Sequence, residues 1–278
     1  MNTKRLVRAL IVLLALLIAG LLWLAYNLQT VILLLPIAGI AVEPTRGPIP
    51  PPPAITAPRG ELPTGHAGLS EWAQDAGGAM HPVGCGFLLR LDGGEVIGVA
   101  TAHSTADVNG DTRQSLERIA FHLPQGSDTL IEFDTFYGPP GQTFTGYRFS
   151  QDYKLLKVTQ PITGSFVLTP DPRGMPQPGE RVMLFSGLGD GVSASGGNPR
   201  TLAGTVTTIG PDAIWVRMDE AFDPAGMSGS PLLSQHTGQV VGMAVSATYD
   251  TPVMIGFHPI GSIVEKANTA REFPKMGK

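Results

Sequence analysis

Residues 223–231 read Asp-Pro-Ala-Gly-Met-Ser-Gly-Ser-Pro, and an apolar run, Ser230–Leu233, follows at once. Ser228 therefore stands between two glycines at the mouth of a short strand. Two other stretches have the same design. Val99-Ala100-Thr101-Ala102-His103-Ser104 runs small and β-branched residues straight into a histidine. Gln151-Asp152-Tyr153-Lys154-Leu155-Leu156-Lys157-Val158 sets an aspartate before another apolar run. Along the chain the order is His103, Asp152, Ser228, at separations of 49 and 76 positions.

Between these stretches lie short apolar segments parted by Gly, Pro and Asp. Eleven are legible between Cys85 and Phe257: 85–91, 95–102, 118–123, 129–136, 155–158, 181–186, 201–209, 213–218, 230–233, 240–246 and 253–257. Runs of this length with turn residues between them predict an all-β barrel or sandwich. Only Gly261–Glu272 reads as helix, with Ile263, Ala267 and Ala270 along one side.

Composition agrees. The chain has 278 residues, 35 of them Gly and 25 Pro, with 42% hydrophobic and 15% charged. That excludes a disordered protein and a coiled coil. A single cysteine, Cys85, excludes a disulfide framework and a cysteine-based zinc site. Cys85 reads as a small buried hydrophobe. The histidines show no metal-ligand spacing, so no metal and no cofactor is expected.

The two ends differ in charge. Lys4, Arg5 and Arg8 make residues 1–8 +3, which leaves −7 for the rest of a chain of net charge −4. A mildly acidic body argues against a nucleic-acid partner. Ala9–Tyr26 carries no charge, and with Leu6–Arg8 it is long enough to cross a bilayer core. A secretory signal has a shorter apolar region and a small-residue cleavage site. Here a second apolar run, Val31–Val42, follows. The expected order is a cytoplasmic basic tail over 1–8, then a transmembrane and interfacial segment over 9–42. A Pro-rich linker over 43–65 follows, then a domain over 66–278 in the periplasm or cell exterior. The eight prolines of the linker favour an extended spacer holding the domain off the membrane.

The three motifs have a joint chemical use. A serine hydroxyl is a weak nucleophile unless a base stands beside it. Histidine can take the proton and return it to a leaving group. A carboxylate orients the imidazole and stabilises its charged form. Glycines let backbone N–H groups converge on one oxyanion. The α/β-hydrolase elbow, G-x-S-x-G with the order Ser, Asp, His, does not fit, since Ser230 fills its last place and the order is reversed.

TAHS, DYKLLKV and GMSGSP resemble the three signatures of the trypsin/chymotrypsin-like serine proteases. The closest flavour is the disulfide-free bacterial branch of HtrA-like enzymes and glutamyl endopeptidases. The resemblance covers about residues 80–262. It implies two packed six-stranded antiparallel barrels, about 80–165 and 166–262, and a C-terminal helix over about 261–272. It implies His103 as general base, Asp152 as its orienting acid and Ser228 as nucleophile. Gly226 and Ser228 would supply oxyanion N–H groups. Phe222, Val245, Ser246, Ala247 and His258 would line the substrate pocket, with Phe222 where a basic-specific enzyme has an acid. Met227 and Lys154 depart from the family pattern, and Asp134 is the reserve acid. The implied activity is a membrane-anchored serine endopeptidase acting on proteins or peptides. The alternative is a catalytically silent binding domain on the same fold.

Overall fold

The computed structural model describes residues 43–277, apart from 66, 108–109, 113–114, 124–128, 163–166 and 189–198. The expected basic tail and membrane segment lie outside the described residues. No helix among the described residues is long and apolar enough to cross a membrane.

The chain is all-β as predicted, with one α-helix among the described residues. Strands β1 (Leu69–Asp75), β2 (His81–Arg90), β3 (Val96–Ala100), β4 (Leu116–His122), β5 (Thr129–Phe133), β6 (Lys154–Lys157) and β7 (Val167–Leu168) form one sheet. Its order is β5-β4-β1-β2-β3-β6, with β7 beside β2. Strands β8 (Arg181–Ser186), β9 (Arg200–Ile209), β10 (Ile214–Met218), β11 (Pro231–Ser234), β12 (Val240–Ala247) and β13 (Met254–Pro259) close a six-stranded barrel. Helix α1 (Ile260–Thr269) follows, burying Ile260, Ile263 and Ala267.

The second barrel matches the expectation; the first needs correction. Its sheet has seven strands, and its regular ladder does not close. The segment after β5 completes the curl instead: Tyr137 N–H donates to Leu155 O at 2.7 Å and Lys157 N–H to Thr135 O at 3.0 Å. The aromatic ring of Phe121 packs directly onto β2 at Gly86. A Cβ on Gly86 would lie 2.3 Å from that ring, so only glycine lets the ring in. Burying such a ring contributes about 2–3 kcal/mol.

Three apolar clusters hold the fold. One fills the first sheet around Phe121 and Phe133, and one fills the barrel around Val216, Leu232 and Phe257. The third joins the two, through Phe87, Phe149, Trp215, Met243 and Ile263.

The Pro-rich segment is not a free spacer over the described residues. It lies along the second barrel, within the same compact unit. Arg217 donates to Gly47 O at 2.6 Å, Gly60 N–H to His236 O at 2.9 Å, and His236 Nε2–H to Ala57 O at 2.7 Å.

Candidate active site

Strand register brings the first two motifs together. β3 pairs antiparallel with β6, with Ala100 opposite Lys154. The residues just after β3 and just before β6 therefore meet at one edge. His103 opens a 3-10 turn there, and Asp152 closes another. His103 Nδ1 stands 2.7 Å from Asp152 Oδ2. A carboxylate accepts only, so Nδ1 carries the proton and Nε2 holds the free lone pair. Asp152 is fully buried, and its other oxygen accepts the His103 backbone N–H at 3.0 Å. Phe144 N–H adds a third bond at 3.3 Å. A buried carboxylate bonded three times is satisfied and fixed in place.

The third motif comes from the second barrel as two successive tight turns. Met227 N–H donates to Pro224 O at 3.2 Å, and Ser230 N–H to Met227 O at 3.0 Å. The third residue of each turn is a glycine in the left-handed region, Gly226 at φ +79° and Gly229 at φ +91°. Such turns want glycine at that place. Backbone bonding along 225–230 is selective. Ala225, Met227, Gly229 and Ser230 N–H groups all have acceptors. Among the described residues, Gly226 and Ser228 N–H groups have none. These are the two expected oxyanion donors.

Cys85 anchors this loop. Its N–H donates to Ser228 O at 2.8 Å, and its thiol to Gly226 O at 3.3 Å. The thiol is buried as expected, and burial pushes its pKa up.

His103, Gly226 and Ser228 line one pocket of about 260 Å³. Among the described residues no hydrogen bond joins Ser228 Oγ to His103; such contacts often tighten only when substrate binds. Val245, Ala247 and Ile255 form an apolar wall, and Ser246 lines the pocket beside them. Phe144, Ala244 and Tyr249 also line it and were not foreseen. Phe144 and Tyr249 sit in loops, where no strand alternation marks them, although Tyr249 is 76% exposed and Phe144 meets the His103 ring edge-on at 5.9 Å.

Two expected pocket residues are elsewhere. Phe222 packs on the second-barrel core under the Arg200 guanidinium. His258 is fully buried on the face of β13 opposite Ile255 and Phe257, against Asp152 O and the Tyr153 ring. Strand alternation, with Ile255 and Phe257 inside the barrel, carried that signal. Burial pushes the His258 pKa down to about 4. The reserve acid Asp134 is at the surface, bonded by Lys275 at 2.6 Å.

Met227 is buried in the barrel core. Lys154, a departure in the sequence, is buried, paired with Glu71 and bonded to Ser104 and Thr105 of the His103 turn. Among the described residues no group of three His, Cys, Asp or Glu side chains converges as metal ligands would.

Residues 84–243 match the trypsin-like peptidase domain. No curated protein matches the sequence. A thermostable serine protease, AL20, from an extremophilic microorganism has the same fold. It is 13% identical, with a TM-score of 0.52 over 73% of this chain and 96% of that one. The active form of the Rv3671c protease from M. tuberculosis is 19% identical, with a TM-score of 0.49 over 83% of this chain and 95% of that one. An inactivated protease paralogue of the scabies mite, S-I1, is 14% identical, with a TM-score of 0.49 over 75% of this chain and 96% of that one.

Proposed function

The chain belongs to the trypsin-like peptidase family, and on that premise we propose that it is a membrane-anchored serine endopeptidase working through His103, Asp152 and Ser228. The observation that carries the reading is the contact of His103 with buried Asp152, on a histidine that lines one pocket with Ser228. Ser228 Oγ attacks the scissile carbonyl carbon as its proton passes to His103 Nε2. The carbonyl oxygen becomes an oxyanion between the Gly226 and Ser228 N–H groups. Removing one donor of that kind costs about 3–4 kcal/mol of barrier in a studied hydrolase. Asp152 stabilises the imidazolium without taking its proton. The imidazolium then protonates the leaving amine, and the acyl group stays on Ser228. Water, deprotonated by His103, releases the acid.

Val245, Ala247 and Ile255 supply an apolar wall, and no acidic side chain lines the pocket among the described residues. That favours a small or medium apolar residue before the cleaved bond. Attachment to the membrane through residues 9–42 rests on the sequence, as does a site outside the cytoplasm.

Hydrolysis of a peptide library by the full chain tests the activity and the preference together. Cleavage after apolar residues, lost in Ser228→Ala, is expected. Equal cleavage by Ser228→Ala contradicts the reading. Release of the full chain from membranes by alkaline carbonate would remove the anchor.

A further inference from the structure

Behind His103 lies a closed polar ring that hydrolysis does not itself require. Lys154 and Glu71 have fully buried side chains, and Lys154 Nζ stands 2.6 Å from Glu71 Oε1. The same nitrogen donates to Thr101 O at 2.8 Å, Ser104 Oγ at 2.6 Å and Thr105 Oγ1 at 2.9 Å. Ser104 Oγ lies 2.9 Å from Glu71 Oε2 and returns the ring to the carboxylate. An ammonium has three protons; among the described residues this one donates to the Thr101, Ser104 and Thr105 oxygens and pairs with the Glu71 carboxylate.

The acceptors are not scattered. Thr101, Ser104 and Thr105 flank His103 on both sides in sequence. Lys154 follows Asp152 by two residues. Asp152 thus holds the ring and backbone N–H of His103, while Lys154 holds the turn around it. Gly84 lies between this ring and the nucleophile's loop. A Cβ on Gly84 would lie 3.6 Å from Glu71 Oε2, 3.5 Å from Ser104 Cβ and 3.1 Å from Ser228 O. A buried ion pair is weak evidence for stability, because desolvation consumes much of its attraction. Fixing one geometry is a use that survives that cost.

We propose that Lys154, with Glu71 as counter-ion, is a positioning residue for His103. The ammonium clamps the turn that carries the imidazole onto the strand that follows Asp152, and it touches no substrate. The inference rests on His103 acting as the base.

The test uses the full chain with both partners replaced, Lys154→Met with Glu71→Met, which leaves no unpaired buried charge. Peptide hydrolysis is measured with the proton NMR signal of His103 Nδ1–H, which reports the bond to Asp152. A folded double variant should lose about a hundredfold in kcat at unchanged KM, the scale of a small misplacement of a catalytic group. Its Nδ1–H signal should move or broaden. A folded double variant with parental kcat and an unmoved signal overturns the proposal. If the double variant does not fold, Ser104→Ala decides. It opens the ring while both charges stay paired, and it should lower kcat several-fold at constant KM. Parental kcat there overturns the proposal. His103→Ala in the same assay separates the two claims. Hydrolysis surviving His103→Ala removes the base and this inference with it. Hydrolysis lost in His103→Ala but parental in the Lys154 variants removes this inference alone.

Discussion

His103 and Asp152 meet twice: ring to carboxylate at 2.7 Å, and backbone N–H to the second oxygen at 3.0 Å. The acid therefore orients the residue as well as its side chain. Asp152→Asn keeps the shape but offers an amide N–H where the ring needs an acceptor, and this favours the wrong tautomer. The expected loss in kcat is about ten-thousandfold. His103→Ala or Ser228→Ala should cost about a millionfold, and the pair together no more, because they act as one unit. Steady-state kinetics on the three single variants and the double variant check this.

His258 makes stability depend on pH. Its native pKa is about 4 against an ordinary 6.5, because burial disfavours the imidazolium. Between pH 6.5 and 4 the unfolded chain takes up a proton that the native chain refuses. Its contribution is therefore whole above pH 6.5 and falls as the pH drops towards 4. A shift from 6.5 to about 4 corresponds to about 3 kcal/mol. His258→Phe should flatten this part of the curve. Denaturant unfolding of both proteins at pH 7 and pH 4.5 measures it, and the difference between them cancels the carboxylates. Parallel curves would contradict the assignment.

Gly229 needs both its backbone angle and its missing side chain. A Cβ there would lie 1.8 Å from Cys85 O, at φ +91°. Gly146 is left-handed too, at φ +60°, but faces open space. Gly146→Ala should cost about 1 kcal/mol and Gly229→Ala at least about 2 kcal/mol more. Gly229→Ala should also lose hydrolysis, since the peptide behind Ser228 must shift. Equal melting temperatures for the two variants would show that the close approach does not matter.

The Pro-rich segment should behave as part of the barrel. A Cβ on Gly60 would lie 2.0 Å from Thr237 O, so Gly60→Ala should lift the segment and open residues 45–61 to proteases. Arg46→Ala removes an ion pair with Asp250 that is half-exposed on one side and more on the other. It should change stability by less than about 1 kcal/mol. Limited proteolysis with mass spectrometry distinguishes the two.

Sequence pointed to candidate residues where motifs are local. TAHS, DYKLLKV and GMSGSP each set one candidate residue at a strand end; His103 meets Asp152, and His103 and Ser228 line one pocket. Strand β1 escaped notice because Glu71, fully buried, gives Leu-Ser-Glu-Trp-Ala-Gln-Asp the look of a surface segment. Its partner Lys154 stood out only as a departure, since a buried charge becomes intelligible with its counter-ion in view. The closing of the first sheet by residues 135–137 rests on isolated backbone bonds, which leave no periodic trace. Tyr249 and Phe144 reach the pocket from loops, where side-chain direction follows tertiary contacts rather than alternation.

The central claim is that Ser228 is an activated nucleophile. The most direct measurement is covalent labelling of the full chain with a fluorophosphonate, located by peptide mass spectrometry. An adduct on Ser228, absent in Ser228→Ala and strongly slowed in His103→Ala, is the predicted result. Folded protein that acquires no adduct at Ser228, or labels equally fast without His103, would contradict it.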